Sequence, residues 1–147
     1  RHLGGRLQPV LDTIRGIYDR GIWLEVLTLV IPGFNSSDDE LTKIAEFIAS
    51  ISVDVPWHVT AFHRDYKMTS NDDTDAQTLL RAADIGRRAG LRYVYPGNLP
   101  GEFGDREGTH CPTCARLLIG RIGFRVTSNV LVDGACPDCG TAIPGRW

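Results

Sequence analysis

The segment "IWLEVLTLVI", residues 22–31, is a nearly continuous run of β-branched and aliphatic side chains. Such a run is typical of a strand that is covered on both faces, as strands are in parallel sheets. Residues 7–20 precede it and carry apolar side chains at helical spacing, with Pro9 in the first turn and Gly21 at the expected end. The sequence therefore predicts a helix that leads into a buried strand.

The alternation of helix and strand continues along the chain. Capping boxes of the form Ser/Thr-x-x-Glu/Gln occur at residues 37–40 and 74–77, and an apolar helix face follows each of them. "PWHVTAF" (56–62) and "LRYVY" (91–95) are the next two predicted strands. Strands that alternate with amphipathic helices predict a parallel sheet with right-handed crossovers. The expected fold class is α/β, either the edge of a doubly wound sheet or part of a (β/α) barrel.

The composition changes after the third strand. "PGNLPGEFGDREG", residues 96–108, contains four glycines and two prolines, which is typical of a loop or linker. Beyond it the helical spacing is lost, and short strands with glycine turns are expected. We therefore predict one domain at residues 1–106 and a small β module at residues 107–147.

All four cysteines lie in the small module, as two C-x-x-C pairs separated by 21 residues. Two such turns joined by a hairpin predict a tetrahedral site with four thiolate ligands, Cys111, Cys114, Cys136 and Cys139. Zinc is the expected metal because it needs no redox partner, although the same ligands hold iron in rubredoxin. Two local disulfides or four free thiols are the alternatives, and both leave about 40 residues with little core.

Charge and hydropathy narrow the classes of function. The 147 residues carry a formal net charge of −2, with both signs mixed, which argues against a nucleic-acid partner. No apolar run approaches the roughly 20 residues that span a bilayer. No export signal is recognisable, so we expect a cytoplasmic protein with no membrane partner. The chain starts at Arg1 and its only methionine is Met68, which suggests that the front of a longer protein is missing.

Several blocks of the chain resemble a known family when taken together and in order. They are "LEVLTLVIPGFNSSDDEL" (24–41), "DVPWHVTAFHRDYKM" (54–68), "GLRYVYPGNLPG" (90–101), "CPTCARLLIG" (111–120) and "CPDCGTAIPGRW" (136–147). The family is that of the radical SAM enzymes named for the AmmeMemoRadiSam gene cluster, which is similar to the pyruvate formate-lyase activating enzymes. The resemblance covers nearly the whole chain. One departure is Ala115, which stands where the family usually has glycine.

The resemblance implies a partial (β/α)6 barrel of the TIM type. Its first half carries a C-x3-C-x2-C loop that holds a [4Fe–4S] cluster, and the cluster cleaves S-adenosylmethionine reductively to a deoxyadenosyl radical. This motif does not occur in the sequence. The chain is therefore expected to be the C-terminal half of the barrel with a zinc-ribbon or rubredoxin-like module, and to be inactive alone. The substrate is unknown and could be a protein, and a Memo-like protein of the same gene cluster is an implied partner.

The resemblance also assigns three cofactor-binding residues. Leu29 matches a strand position near the adenine of S-adenosylmethionine. Phe62 and His63 match the end of the last barrel strand, where the histidine is similar to one that contacts the nucleoside. His58 and Thr60 alternate with Phe62 and are expected to line the barrel. Two other functions stay open: a zinc ribbon that binds protein or nucleic acid, with the α/β part as scaffold, and rubredoxin-like electron transfer by iron.

Overall fold

A computed structural model describes residues 4–147 of the chain. Its first part is a three-stranded parallel sheet with strand order β1-β2-β3. The elements of this part are α1 (Leu7–Asp19), β1 (Val26–Val30), α2 (Asp38–Ile51), β2 (Trp57–Ala61), α3 (Ala76–Arg88) and β3 (Val94–Gly97). The predicted order of helices and strands is therefore confirmed, although the strands are shorter than the apolar runs that predicted them.

The helices α2 and α3 cover one face of the parallel sheet. Alternate side chains of the strands, such as Val30, Trp57 and Val59, are fully buried in a common core with the two helices. The opposite face carries Leu27 and Leu29, which are 65% and 42% exposed. The expectation that β1 is covered on both faces is therefore wrong for the described residues, because both helices that contact the sheet lie on the same side of it.

The second part of the chain is a small antiparallel sheet. A 3₁₀ helix (Gly104–Glu107) leads into β4 (Thr109–His110), β5 (Leu117–Ile122) and β6 (Arg125–Asn129), in that spatial order. The residues that follow β6 fold back beside the sheet, and Val130 donates its N–H to the Leu118 carbonyl at 2.9 Å. We call residues 109–147 the ribbon module. The α/β class and a separate small β sheet are both present, whereas membership of a barrel stays a prediction.

The two sheets are joined by a buried carboxylate and a shared apolar cluster. Glu107 is 7% exposed, and its two oxygens accept the N–H groups of Gly101 at 2.7 Å and Gly123 at 2.5 Å. Tyr93, next to β3, packs among the buried side chains of the ribbon module, including Leu118. Burial raises the pKa of the Tyr93 hydroxyl to about 12. The predicted boundary at residue 106 thus falls inside the 3₁₀ helix, at a junction with contacts on both sides.

The sequence pattern predicts the N-terminal cap of α2 correctly and places the cap of α3 one residue too early. Ser37 caps α2 as predicted, since its hydroxyl accepts the Glu40 N–H at 3.3 Å. The cap of α3 is Asp75, whose carboxylate accepts the Thr78 N–H at 2.7 Å. Thr74, which the second capping box assigned to this role, is instead buried between the ends of β1 and β2. No helix within residues 4–147 is long and apolar enough to cross a bilayer.

A glycine in α3 sets how closely that helix approaches the sheet. A Cβ added at Gly86 would lie 2.8 Å from the Trp57 ring and 3.0 Å from Val94 Cγ2. We expect Gly86→Ala to lower the free energy of unfolding by about 2 kcal/mol. Overpacking of this buried contact destabilises the protein by more than the higher helix propensity of alanine stabilises it. The matched control is Gly16→Ala in the exposed α1, where only the flexible end of Arg20 is near. Urea denaturation measures both, and a stabilised Gly86→Ala protein would contradict this packing.

Candidate functional site

The four cysteines lie on two turns of the same construction. In the first turn the Ala115 N–H donates to the Cys111 carbonyl at 2.9 Å, and in the second the Gly140 N–H donates to the Cys136 carbonyl at 2.9 Å. Each C-x-x-C pair thereby curls its two sulfurs toward the same side. The antiparallel pairing of β4 with β5 and the return of the chain after β6 bring the two turns face to face.

The four sulfur atoms form one cluster. All lie within 4.8 Å of one another, with Cys111 Sγ 3.5 Å from Cys139 Sγ and Cys114 Sγ 3.6 Å from Cys136 Sγ. A tetrahedral ion with metal–sulfur bonds of about 2.3 Å holds its sulfurs about 3.8 Å apart. None of the four cysteines forms a disulfide. These residues can hold one metal ion, and their spacing suits a single ion in a tetrahedral site.

Backbone N–H groups stabilise negative charge in this cluster. Burial alone would raise the pKa of the Cys111 thiol, but the N–H groups of Cys114 and Thr113 point at its sulfur and lower the pKa to about 6. The pKa of Cys139 is lowered by hydrogen bonds from the Thr141 hydroxyl and N–H. These donors favour the thiolate form of Cys111 and Cys139. At Cys114 the Arg116 N–H lowers the pKa, but burial and hydrogen bonding with the other three thiols raise it to about 12. The thiolate is the form that binds a metal ion. The predicted metal ligands are therefore brought together as expected, while the choice between zinc and iron stays open.

The last residue of the first cysteine turn, Ala115, is under conformational strain. Ala115 has φ +61°, and its counterpart in the second turn is Gly140 with φ +71°. We expect Ala115→Gly to raise the free energy of unfolding by about 1 kcal/mol, since this region costs an alanine roughly 1–2 kcal/mol. Gly140→Ala should lower it by a similar amount, because open space surrounds its Cβ position and only the backbone is affected. Urea denaturation of the metal-loaded chain measures the free energy of unfolding of both variants. Shifts of the same sign would contradict the assignment of strain to Ala115.

The three residues assigned to the cofactor lie near the carboxyl ends of β1 and β2. Leu29 pairs with Thr60 in the register of the two strands and lies on the open face of the sheet. Phe62 is 6% exposed, whereas His63 is exposed, with its Nε2 3.4 Å from the Asn98 carbonyl oxygen. Parallel strands direct their carboxyl ends to one edge, and this edge is where (β/α) folds carry their sites. The three residues lie near that edge, and the assignment of S-adenosylmethionine to them stays a prediction.

Side chains to which the sequence analysis assigned no role at a site build this edge. Asn98 has φ +67° and donates its amide to the Ala61 carbonyl at 2.8 Å, so it ties the end of β3 to the end of β2. Asn35 accepts the Ile31 N–H at 2.7 Å and donates to the Leu29 carbonyl at 3.0 Å. The Arg64 N–H donates to Asp73 at 2.8 Å, which lowers the pKa of Asp73. A left-handed asparagine in a turn is the one such signal that sequence reading could have used.

Comparison with known proteins gives one relative without a described activity. The uncharacterized protein MJ0808 of Methanocaldococcus jannaschii is 38% identical to this chain over 140 residues. The aligned region covers 93% of this chain and 41% of that protein, so the chain spans about two fifths of the length of the relative it matches. A comparison with protein families finds no match. Similar sequence therefore occurs within a longer archaeal protein, and the comparisons assign neither a family nor an activity.

Proposed function

We propose that this chain is the C-terminal part of a radical SAM enzyme. The observation that carries the proposal is a parallel sheet whose helices cover one face only, with apolar Leu27 and Leu29 on the other face. An outer layer of helices and an inner face of side chains is the arrangement of a (β/α) barrel. The match to about two fifths of a longer archaeal protein is consistent with a role as one part of a larger protein.

In this proposal the carboxyl edge of the sheet forms one side of the pocket for S-adenosylmethionine. Leu29 would contact the adenine, and Phe62 and His63 would lie beside the nucleoside. The Asn98 carbonyl accepts from His63 Nε2 and would thereby orient the ring. A protein substrate and a Memo-like partner are proposed on the family resemblance alone.

The cysteines of this chain do not fit the [4Fe–4S] cluster of such an enzyme. All four lie in the ribbon module, and sulfurs within 4.8 Å of one another suit one ion, because thiolates that radiate from the corners of a four-iron cube lie further apart. We therefore derive no step of the cluster chemistry from this chain. The metal of the ribbon module is proposed to be zinc in a structural role, since four thiolates leave no open coordination position.

The test compares the 147-residue chain with the longest open reading frame that contains it. Both are reconstituted with iron and sulfide without oxygen, reduced with dithionite, and assayed for 5′-deoxyadenosine formed from S-adenosylmethionine. We expect product from the longer protein only, and a tenfold or greater loss after His63→Ala, against little change after the exposed control Arg125→Gln. A reading frame without C-x3-C-x2-C, or product from the short chain alone, would overturn the proposal.

A binding module is the second candidate, and the hairpin of the ribbon module favours it. All five residues of β6 are exposed, and Phe124 at the turn before it is fully exposed. Among the arginines of the ribbon module, which could contact phosphates, Arg116 is already paired with Asp138. Titration with single-stranded nucleic acid at two salt concentrations tests that partner, since phosphate contacts weaken steeply with salt. A red purified protein would instead indicate iron and rubredoxin-like electron transfer.

A further inference from the structure

The open face of the parallel sheet and the ribbon module enclose a cleft of about 790 Å³. Strands β1, β2 and β3 form its floor, and the β5–β6 hairpin and the C-terminal segment form its opposite wall. Its volume lies in the range of small-molecule sites. The lining includes the aromatic side chains Trp23, Tyr95, Phe124 and Trp147. The cleft is distinct from the four-cysteine cluster, and the three residues assigned to S-adenosylmethionine do not line it.

A carboxylate–imidazole pair lies on the floor of the cleft. Glu25 accepts the Trp23 indole N–H at 2.9 Å, and its other oxygen lies 2.7 Å from His58 Nε2. Burial alone would raise the pKa of Glu25, but the hydrogen bonds from Trp23 and His58 lower it below its usual value. The His58 ring lies against the Tyr95 ring, with centroids 5.1 Å apart. The pair is therefore internally satisfied, and Glu25 does not require a cation from outside.

The second carboxylate of the cleft is satisfied as well. Both oxygens of Glu107 accept backbone N–H groups, as described for the junction of the two sheets. Each oxygen of Glu25 and Glu107 thus already accepts one hydrogen bond. An incoming ammonium group would have to compete with these existing donors.

Two arginines line the cleft, Arg121 on β5 and Arg146 in the C-terminal segment, and Arg121 is the one that a hydrogen bond holds in place. One terminal nitrogen donates to the Thr109 hydroxyl at 3.0 Å, and the guanidinium carbon lies 5.7 Å from the Tyr95 ring centroid. Within residues 4–147 its guanidinium forms no ion pair with a carboxylate, whereas Arg116 on the same module pairs with Asp138. A guanidinium presents five donors in a planar fork that matches carboxylate and phosphate oxygens. In the described part of the chain the Arg121 guanidinium also hydrogen-bonds with the Tyr95 hydroxyl and acts electrostatically on Glu25, and its remaining donors have no partner there.

From these contacts we infer that the cleft binds a small organic anion, in which a carboxylate or phosphate group is attached to a planar ring. Arg121, held in place by Thr109 and Tyr95, takes the anionic group. The ring packs against the aromatic lining, for which Trp23 and the fully exposed Phe124 provide apolar surface. The inference depends only on these side chains and holds whether or not the chain belongs to a radical SAM enzyme.

The test uses the metal-loaded 147-residue chain and four probes that share a ring and differ in charge. Benzoate and phenyl phosphate are the anionic probes, benzyl alcohol is neutral, and benzylamine is cationic. Quenching of tryptophan fluorescence reports binding, since Trp23 and Trp147 line the cleft. We expect the better anion to bind at least about ten times more tightly than the alcohol, because a charge-assisted hydrogen bond is lost with the alcohol. The comparison of benzoate with phenyl phosphate shows whether the cleft prefers a carboxylate or a phosphate ligand.

Variants of Arg121 assign the effect to the cleft. Arg121→Gln should weaken the anionic probes about tenfold and leave the alcohol unchanged, whereas Arg125→Gln on the neighbouring exposed strand should change neither. Arg121→Lys keeps the positive charge and is the substitute test if Arg121→Gln folds poorly. It should retain part of the preference for the anionic probes over the alcohol. Equal affinity for anion and alcohol in the native chain would overturn the inference, as would equal weakening by the Arg125 variant. Binding of inorganic phosphate as tight as that of phenyl phosphate would overturn the role of the ring.

Discussion

Replacing Cys136 by serine is expected to abolish metal binding and to unfold the ribbon module. Cys136 is 2% exposed and lies in the same apolar cluster as Cys111, Leu118 and Ile143. A hydroxyl is a poor ligand in an S4 site, and the remaining three sulfurs cannot close the tetrahedron. Structural zinc contributes about 10 kcal/mol or more to small domains that bind it, so a module of about 40 residues cannot compensate from its core.

The measurement is metal content per chain together with dispersion of amide resonances from residues 109–147. We expect one ion per native chain, less than about a tenth of that in Cys136→Ser, and collapse of the ribbon resonances to random-coil positions. Arg125→Gln, on the exposed β6 of the same module, is the control and should keep both the ion and the dispersion. A Cys136→Ser chain with one bound ion and native resonances would show that the four sulfurs do not act as one site.

Unfolding of the ribbon module should also change the environment of Tyr93, which lies beside the parallel sheet. Tyr93 lies beside β3 and is 4% exposed because ribbon side chains cover it. Its hydroxyl is buried and has no hydrogen-bond partner in the described part of the chain. When the ribbon unfolds, this ring becomes accessible and its raised pKa of about 12 should fall toward the usual value near 10. The phenolate absorbance during alkaline titration therefore reports the junction separately from the metal.

The cysteine site could be predicted from sequence because its determinants are local. A C-x-x-C turn aims its own two sulfurs, so the spacing of two pairs identifies the site before any tertiary contact is known. The order of helices and strands was likewise readable, since apolar side chains repeat with the period of the element that contains them. The capping box at Ser37 was correct for the same reason. Local signals thus account for the elements and for the metal ligands.

The cleft could not be predicted, because its side chains meet through strand register and the docking of the two sheets. Glu25 lies 33 residues before His58, and their contact depends on how β1 and β2 align. Glu107 accepts an N–H from a hairpin turn 16 residues later. No pattern of spacing in a single sequence encodes such register. The sequence did not single out Arg121 either, because nothing local distinguishes a guanidinium that faces a cleft from one that faces solvent.

The misplaced cap of α3 has an instructive physical cause. Thr74 and Asp75 are adjacent and both are good capping residues, so the pattern alone cannot choose between them. The ends of β1 and β2 determine which of the two residues caps α3, because the Val30 carbonyl and the Phe62 N–H need a buried partner there. Thr74 provides an acceptor and a donor in one small side chain, with its hydroxyl 2.5 Å from the Val30 oxygen and 3.1 Å from the Phe62 nitrogen. Asp75 then takes the cap, where its charge stays exposed.

This role makes Thr74→Val the second change with a large expected effect. Valine keeps the shape of the side chain but leaves the Phe62 N–H and the Val30 carbonyl without a partner at a site that is 3% exposed. Each buried unpaired group costs about 1–3 kcal/mol, so we expect the free energy of unfolding to fall by about 3 kcal/mol. Thr74→Ser keeps the hydroxyl and loses one methyl group, and it should cost about 1 kcal/mol.

The pair of variants distinguishes hydrogen bonding from packing. Urea denaturation gives the free energy of unfolding of each variant, together with its dependence on urea concentration. Hydrogen exchange of the Phe62 amide should accelerate in the valine variant only. If serine proves as costly as valine, the methyl group rather than the hydroxyl holds the site together. The consequence for function is direct, because Phe62 precedes His63 along the chain. A strand end that opens at Phe62 displaces the histidine proposed to contact the cofactor, so Thr74→Val should weaken that site even though Thr74 itself is buried away from it.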